Sequence, residues 1–189
     1  MTGVTPFDWD GLAAYKLGGV FPAAYPASTR TWWSGRDDVH GVLKALIGSA
    51  QHSLIISMFG WDDDELDALV RSKMEDEHVF VQMSLDRTQA GGAHEKKLLA
   101  NWNPADITNS VAIGTSPNGA ILHLKMVVVD GVYVVHGSTN WSVSGESLQA
   151  NEMTLTNDAG LAAEARTVLD IQHQHILAQQ GARAKGVPA

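Results

Sequence analysis

The chain has 189 residues with no cysteine, 44% hydrophobic residues, and 21 acidic against 13 basic side chains, for a formal charge of −8. The absence of thiols excludes a disulfide-stapled scaffold, a Cys-ligated zinc or iron–sulfur centre and a thiol nucleophile, while the length suits one packed core. The acidic balance argues at first sight against a polyanionic partner, because like charges slow encounter.

The first ten residues, MTGVTPFDWD, contain neither a basic n-region nor a long apolar run, so no secretory signal is expected there. The longest apolar stretch, 126–135, is interrupted by Asp130 and Gly131 and falls far short of the about 20 residues a bilayer span needs. A cytoplasmic protein is therefore expected.

Residues 1–30 carry Pro6, Pro22, Pro26 and the pair Gly18-Gly19, and read as an irregular arm. After Asp37-Asp38, the apolar positions Val39, Val42, Leu43, Leu46 and Ile47 are spaced for one helix face. Residues 53–59 read as a buried strand. Asp62, Asp63 and Asp64 are placed to cap the next helix, with Leu66, Leu69 and Val70 turned inward.

Val79, Val81 and Met83 alternate as in a strand, and residues 93–102 read as a helix with Leu98, Leu99 and Trp102 on one side. A short strand is expected at 111–113. Residues 121–129 and 132–136 form a predicted hairpin turning at Asp130-Gly131. A strand at 151–156 and a long helix at 161–178 complete the pattern. Helices alternating with strands imply an α/β sandwich, a mixed sheet with helices on both faces. The expected organisation is the arm 1–30, a single catalytic domain 31–178 and a flexible tail 179–189.

The chemistry-bearing stretch is His123, Lys125 and Asp130 followed by Gly137, Ser138 and Asn140, the pattern H-x-K-x4-D-x6-G-S-x-N. Side chains two apart on a strand share a face, so His123 and Lys125 are expected to project together. An ammonium neutralises phosphate oxygens while an imidazole acts as nucleophile or proton carrier near neutral pH. Ser138 and Asn140 can bring a hydroxyl and an amide to the same oxygens. Asp130 sits at the turn, where a carboxylate binds nearby backbone N–H groups.

These residues resemble the defining motif of the phospholipase D superfamily, and six specified residues at fixed spacing make chance occurrence very improbable. The resemblance extends to Thr31-Trp32-Trp33-Ser34, the 53–59 strand and the helix start at 61–66, and covers roughly residues 30–178. It implies a phospholipase D/nuclease-type sandwich and a metal-independent phosphodiesterase that needs no cofactor. In the implied mechanism His123 forms a phosphohistidine while Lys125, Ser138 and Asn140 hold the phosphoryl oxygens. The family site needs two histidines and this chain has one motif, so a homodimer with a shared site is implied. An acid near Glu152 orients a catalytic His in the family; Glu146 competes for that role. The small single-motif bacterial members cut nucleic acid, which makes a nuclease the first expectation. Lipid phosphodiester hydrolysis or transfer, and a non-catalytic phosphodiester-binding module, are the alternatives. No basic amphipathic helix argues for stable membrane association.

Trp141 reads as core packing, and of Trp32-Trp33 one is expected in the core and the other at an interface. His173 and His175, two apart on a helix, point in different directions and do not form a metal pair. His40, His52, His78, His94 and His136 lack partners at ligand spacing and read as structural or exposed. Asp86 with Glu95 and Lys97 has the loose form of a metal nuclease motif, but the segment has helical spacing where that motif needs a strand. The acidity is local: residues 62–77 hold eight acids and two bases, whereas 87–125 hold four bases and two acids.

Overall fold

The computed structural model describes residues 7–102 and 110–184. A 3-10 turn, Gly11–Tyr15, is followed by strands β1 (Thr29–Trp33), β2 (Ser53–Met58), β3 (Phe80–Asp86), β4 (Val111–Gly114), β5 (Lys125–Val129), β6 (Tyr133–Gly137) and β7 (Glu152–Asn157). The helices are α1 (Val39–Ser49), α2 (Asp64–Met74), α3 (Arg87–Ala90), α4 (Ala93–Leu99), α5 (Val143–Ser147) and α6 (Ala159–Ala184).

Caps set the helix starts. Asp38 accepts from Gly41 N at 2.8 Å at the start of α1. Asp63 accepts from Leu66 N at 2.7 Å at the start of α2. In α2 Asp64, Glu65 and Asp67 lie in the first turn and Arg71 and Lys73 in the last, matching the helix dipole at both ends.

The strands form one seven-stranded sheet in the order β1-β7-β6-β5-β2-β3-β4. β2, β3 and β4 run parallel, and β2 pairs antiparallel with β5. The remaining pairs are antiparallel. One face, with Leu54, Ile56, Val127, Val129 and Leu155, joins the α1 and α2 side chains Val42, Leu46, Leu66 and Val70 in the main core. The other face packs Ile55, Val128 and Val134 against Ala162, Ala165 and Leu169 of α6. The sheet thus has helices on both sides, as its patterning implied. Register brings the ends of β2 and β6 beside the starts of β5 and β7: Met58 lies opposite Lys125 and Gly137 opposite Met153. The site is built at this end of the sheet.

Several elements differ from the sequence reading. β1 was not expected as a strand; it pairs along β7 from Thr29 to Trp33, so the sheet already begins within the segment read as an arm. That segment packs as well: Leu12 is buried, with Phe7, Trp9, Tyr15 and Phe21 against the core. Lys16 pairs with the buried Asp37 at 2.7 Å. Residues 121–124 precede β5 rather than extend it, and α4 ends at Leu99. Helix α6 runs to Ala184, past the expected limit at 178, and the rest of the expected tail lies outside the described residues. Trp32 is fully buried and Trp33 half exposed.

Candidate active site

The motif is spread along a hairpin, so its members sit at opposite ends of two strands. At the three-residue loop 130–132 between β5 and β6, Asp130 and Gly131 take left-handed φ of 53° and 66°, and Val132 N donates to Val129 O at 3.1 Å to close the turn. The Asp130 carboxylate accepts from Gln51, His52 and Ser53 N at 2.8–3.1 Å. Its amide partners are thus close in space but distant in sequence, and they fix the entry to β2 at the end of the sheet away from Lys125.

At the other end an open cleft of about 430 Å³ is lined by His123, Leu124, Lys125, Met126, His136, Gly137, Ser138 and Glu152. His123 does not lie on the strand itself; its position follows from neighbours. Leu122 N donates to Asp86 Oδ2 at 2.6 Å, and Asp86, fully buried at the end of β3, also takes Thr88 N at 2.8 Å. Burial pushes the Asp86 carboxyl up, but the hydrogen bonds from Thr88, Leu122 and Gln89 outweigh it and hold its pKa below the usual carboxylate value. The acid of the loose D-x8-E-x-K pattern is therefore committed to these amides, and Glu95 and Lys97 lie on helix α4.

His123 is exposed and its ring meets the edge of Phe59 at 4.7 Å between centroids. Lys125 is buried, with Nζ 4.8 Å from the Phe59 ring and donating to His123 O at 3.0 Å. Burial draws the Lys125 pKa below the ordinary lysine value. An anion in the cleft would offset that desolvation, so the ammonium is poised for a negatively charged ligand.

Gly137 has φ of 148°, and a Cβ there would lie 2.3 Å from Glu152 O, so only glycine lets β6 close on β7. Ser138 N donates to Glu152 O, and Ser138 Oγ accepts from Glu152 N, both at 3.0 Å. This leaves the Ser138 O–H free to donate into the cleft. Asn140 lies in an adjoining recess with Gly60, Trp61, Gln89 and Ser142. Its Oδ1 accepts from Gly60 N at 3.2 Å, which commits the oxygen of the side-chain amide to the backbone. Residues 59–61 therefore join the two halves of the motif: Phe59 touches His123 and Lys125, while Gly60 takes Asn140. Neither was singled out from the sequence, where position 59 reads only as a strand end.

Glu152 and Glu146 occupy different places. Glu152 lines the His123 cleft and takes Thr154 Oγ1 at 3.3 Å; among the described residues no hydrogen bond joins it to His123. Glu146, on α5, is buried and pairs with His40 Nδ1 at 2.6 Å in a separate cavity. Burial pushes the Glu146 carboxyl up to about 7. Burial opposes a charged His40, but its hydrogen bonds to the Glu146 and Glu65 carboxylates prevail and raise its pKa.

Two histidine readings are thereby corrected: His40 has carboxylate partners, from residues too far apart in sequence for a spacing rule to find, and His136 lines the same cleft as His123. His173 is buried against Ser84 Oγ at 3.1 Å, and His175 meets Gln179, so those two are indeed directed apart. Trp141 is buried against Trp61, with ring centroids 5.1 Å apart.

The family described as "Cardiolipin synthase, PLD-like domain" matches residues 43–171, more than half of the chain. The chain belongs to the phospholipase-D-like family. Among solved structures of similar fold, the phospholipase D family member Nuc from Salmonella typhimurium aligns with a TM-score of 0.64 at 20% identity, covering 78% of this chain and 95% of that one. NucT from Helicobacter pylori gives 0.64 at 16%, covering 78% and 96%. Phosphatidylserine synthase from Haemophilus influenzae gives 0.60 at 15%, covering 87% of this chain and 44% of the larger synthase. No curated protein sequence matches the chain. These likenesses carry the phospholipase-D-like fold, the mixed sheet between helical layers described above. Among the described residues no helix is long and apolar enough to cross a membrane.

Proposed function

We propose that this phospholipase-D-like chain is a metal-independent nuclease that cuts nucleic-acid phosphodiesters through a phosphohistidine on His123. The observation that carries this reading is the shared cleft of His123, Lys125, Ser138 and Glu152, tied through Phe59-Gly60 to Asn140. Lys125, Ser138 and the Asn140 amide receive the non-bridging oxygens and stabilise charge on them in the transition state. A His123 ring nitrogen attacks phosphorus, and a second imidazole protonates the departing oxygen as the P–O bond breaks. That second imidazole then takes a proton from water, which displaces His123 and leaves a phosphomonoester. Glu152 is the acid that orients a catalytic imidazole. The alignment takes in 95% and 96% of Nuc and NucT but 44% of the phosphatidylserine synthase, which supports a nuclease over a lipid enzyme.

The second imidazole is His123 of a second copy, in a homodimer with the cleft at the twofold axis. One observation favours another arrangement: His136 lines the same cleft within one chain. Molar mass in solution and His136→Ala separate the two. A dimer in which His136→Ala retains activity supports the shared site; an active monomer disabled by His136→Ala overturns it. The function itself is tested by incubating purified protein, in excess EDTA, with single-stranded DNA, duplex DNA, RNA and phospholipid, beside His123→Ala. The expected result is EDTA-resistant cleavage of nucleic acid that the variant lacks. Turnover of phospholipid alone, or activity unchanged in the variant, would overturn the reading.

A further inference from the structure

We propose that His40, Asp63 and Glu146 form a binding site for a divalent transition-metal ion, with zinc as its representative, on the α1–α2–α5 side of the molecule and separate from the His123 cleft. One ligand atom from each residue, the His40 nitrogen and a carboxylate oxygen of Asp63 and of Glu146, lie within 4.8 Å of one another. The two separations from the imidazole are 2.6 Å from His40 Nδ1 to Glu146 Oε2 and 3.5 Å from His40 Nδ1 to Asp63 Oδ2. Ligands about 2.0–2.1 Å from a tetrahedral zinc stand about 3.3 Å apart. The Asp63 spacing already suits this, and the Glu146 spacing need open only by the difference between a shared proton and a shared cation.

An independent observation points to a ligand. Glu146 is 3% exposed, and its Oε1 is buried with no hydrogen-bond partner among the described residues, a cost that protein interiors seldom carry. A cation bound to the carboxylate would remove that cost. The surrounding groups are divided in the manner of a metal site. Asp63 uses Oδ1 to cap α2 through Leu66 N and keeps Oδ2 toward His40. His40 turns its other nitrogen, Nε2, to Glu65 at 3.3 Å, the carboxylate–histidine arrangement that fixes a ligating ring. Glu65 is itself paired with Lys44. The adjoining cavity of about 360 Å³ leaves room for water at a fourth position. One imidazole with two carboxylates suits zinc or manganese better than magnesium, which rarely takes a nitrogen ligand.

The proposal goes beyond the nuclease reading and does not depend on it, because its readout is binding. Protein stripped with EDTA and exchanged into metal-free buffer is titrated calorimetrically with zinc chloride, and in parallel with magnesium chloride. The expected result is one zinc per chain, with magnesium about a hundredfold weaker or undetected. His40→Gln and Glu146→Gln are each expected to weaken zinc binding about tenfold or more, whereas His123→Ala leaves it unchanged. The His40 ring is about one-third exposed, so its replacement keeps the test valid even if Glu146→Gln folds poorly. Absence of saturable binding, binding undiminished in His40→Gln, or binding lost in His123→Ala would each overturn the site.

Discussion

The cleft around His123 and the cavity around His40 share the segment 59–63, yet they are assembled in opposite ways. Phe59 and Gly60 serve the first, and Asp63 serves the second. The cleft presents a buried ammonium with imidazoles and a hydroxyl beside one carboxylate, Glu152, and the Asn140 amide stands in a second recess tied to it through Phe59-Gly60, a set that can receive an anion. The cavity is lined by five carboxylates, Asp62, Asp63, Asp64, Glu65 and Glu146, of which Asp63, Glu65 and Glu146 pair with its one imidazole, a set suited to a cation. A net charge of −8 is therefore compatible with the proposed phosphate site, because charge within a few ångströms outweighs charge beyond a Debye length of about 8–10 Å. The comparison also explains why EDTA resistance and metal binding are compatible expectations: they concern different groups.

The largest effect expected is at His123, the proposed nucleophile. His123→Ala should lower phosphodiester turnover on the order of 10⁴-fold, as removal of a nucleophile typically does. The ring is exposed and, among the described aromatic groups, meets Phe59, so the melting temperature should stay within a degree or so. Turnover and thermal melts of the same preparation check this. A rate within tenfold of wild type would mean that the cleft is not the reacting centre.

Gly137→Ala should act on the scaffold of the same cleft. Its Cβ would lie 2.3 Å from Glu152 O at a φ of 148°, so β6 and β7 must separate at the point where Ser138 is held. A loss of about 3 kcal/mol is expected in urea unfolding, with activity falling in parallel. Gly48→Ala, where a Cβ meets nothing within 4 Å, should instead stabilise α1 by up to about 1 kcal/mol. Equal effects at the two glycines would remove the steric account of the Gly-Ser step.

Asp86→Asn tests how the cleft is held from behind. The carboxylate anchors Leu122 N beside His123, so the variant should lose about 1–3 kcal/mol and part of its activity. The pKa of Asp86 is depressed in the folded state, which fixes the sign of the pH dependence. Its contribution is fully present above the unfolded value of about 3.9 and is lost as pH falls through the lower folded value. Wild type and variant should therefore differ most near neutrality and converge in acid. A constant difference at every pH would show that packing, not ionisation, carries the interaction.

The same contrast governs what could be read from the chain itself. The His123 cleft was legible because four of the motif residues that line it, His123, Lys125, Gly137 and Ser138, fall within 123–138, around a hairpin whose turn residues Asp130-Gly131 announce it. Strand periodicity and caps at Asp38 and Asp63 gave most of the sheet and two helices for the same local reason. β1 was missed because its partner is β7, 123 residues away at Thr31 and Thr154, and its neighbouring prolines suggested irregular chain. The helix α6 outran its expected end because an amphipathic pattern fades before a helix does. His40, Asp63 and Glu146 come from three elements and no spacing rule joins them; only folding brings them together. Phe59 and Gly60 were invisible for a subtler reason, since a strand end carries no chemistry until Lys125 and Asn140 are placed against it.

The smallest effect expected is on the salt dependence of substrate binding, and it decides whether the anion site is local or part of a wide groove. Each phosphate neutralised by a lysine or arginine contributes about −0.7 to −0.9 to the slope of log K against log salt. Lys125 is the cation of the cleft, while the acids of residues 62–77 begin immediately beyond Phe59-Gly60-Trp61 and oppose further backbone contacts. A slope of about −1 to −2 per site is therefore expected for a nucleic-acid strand bound to the inactive His123→Ala protein, measured between 50 and about 200 mM salt. Glu65→Gln, which removes one acid from the cation-receiving cavity without touching the cleft, should tighten binding slightly and leave the slope unchanged. A slope steeper than about −4 would instead require several further basic contacts. The cleft could then no longer be described as a single buried ammonium set into an acidic surface.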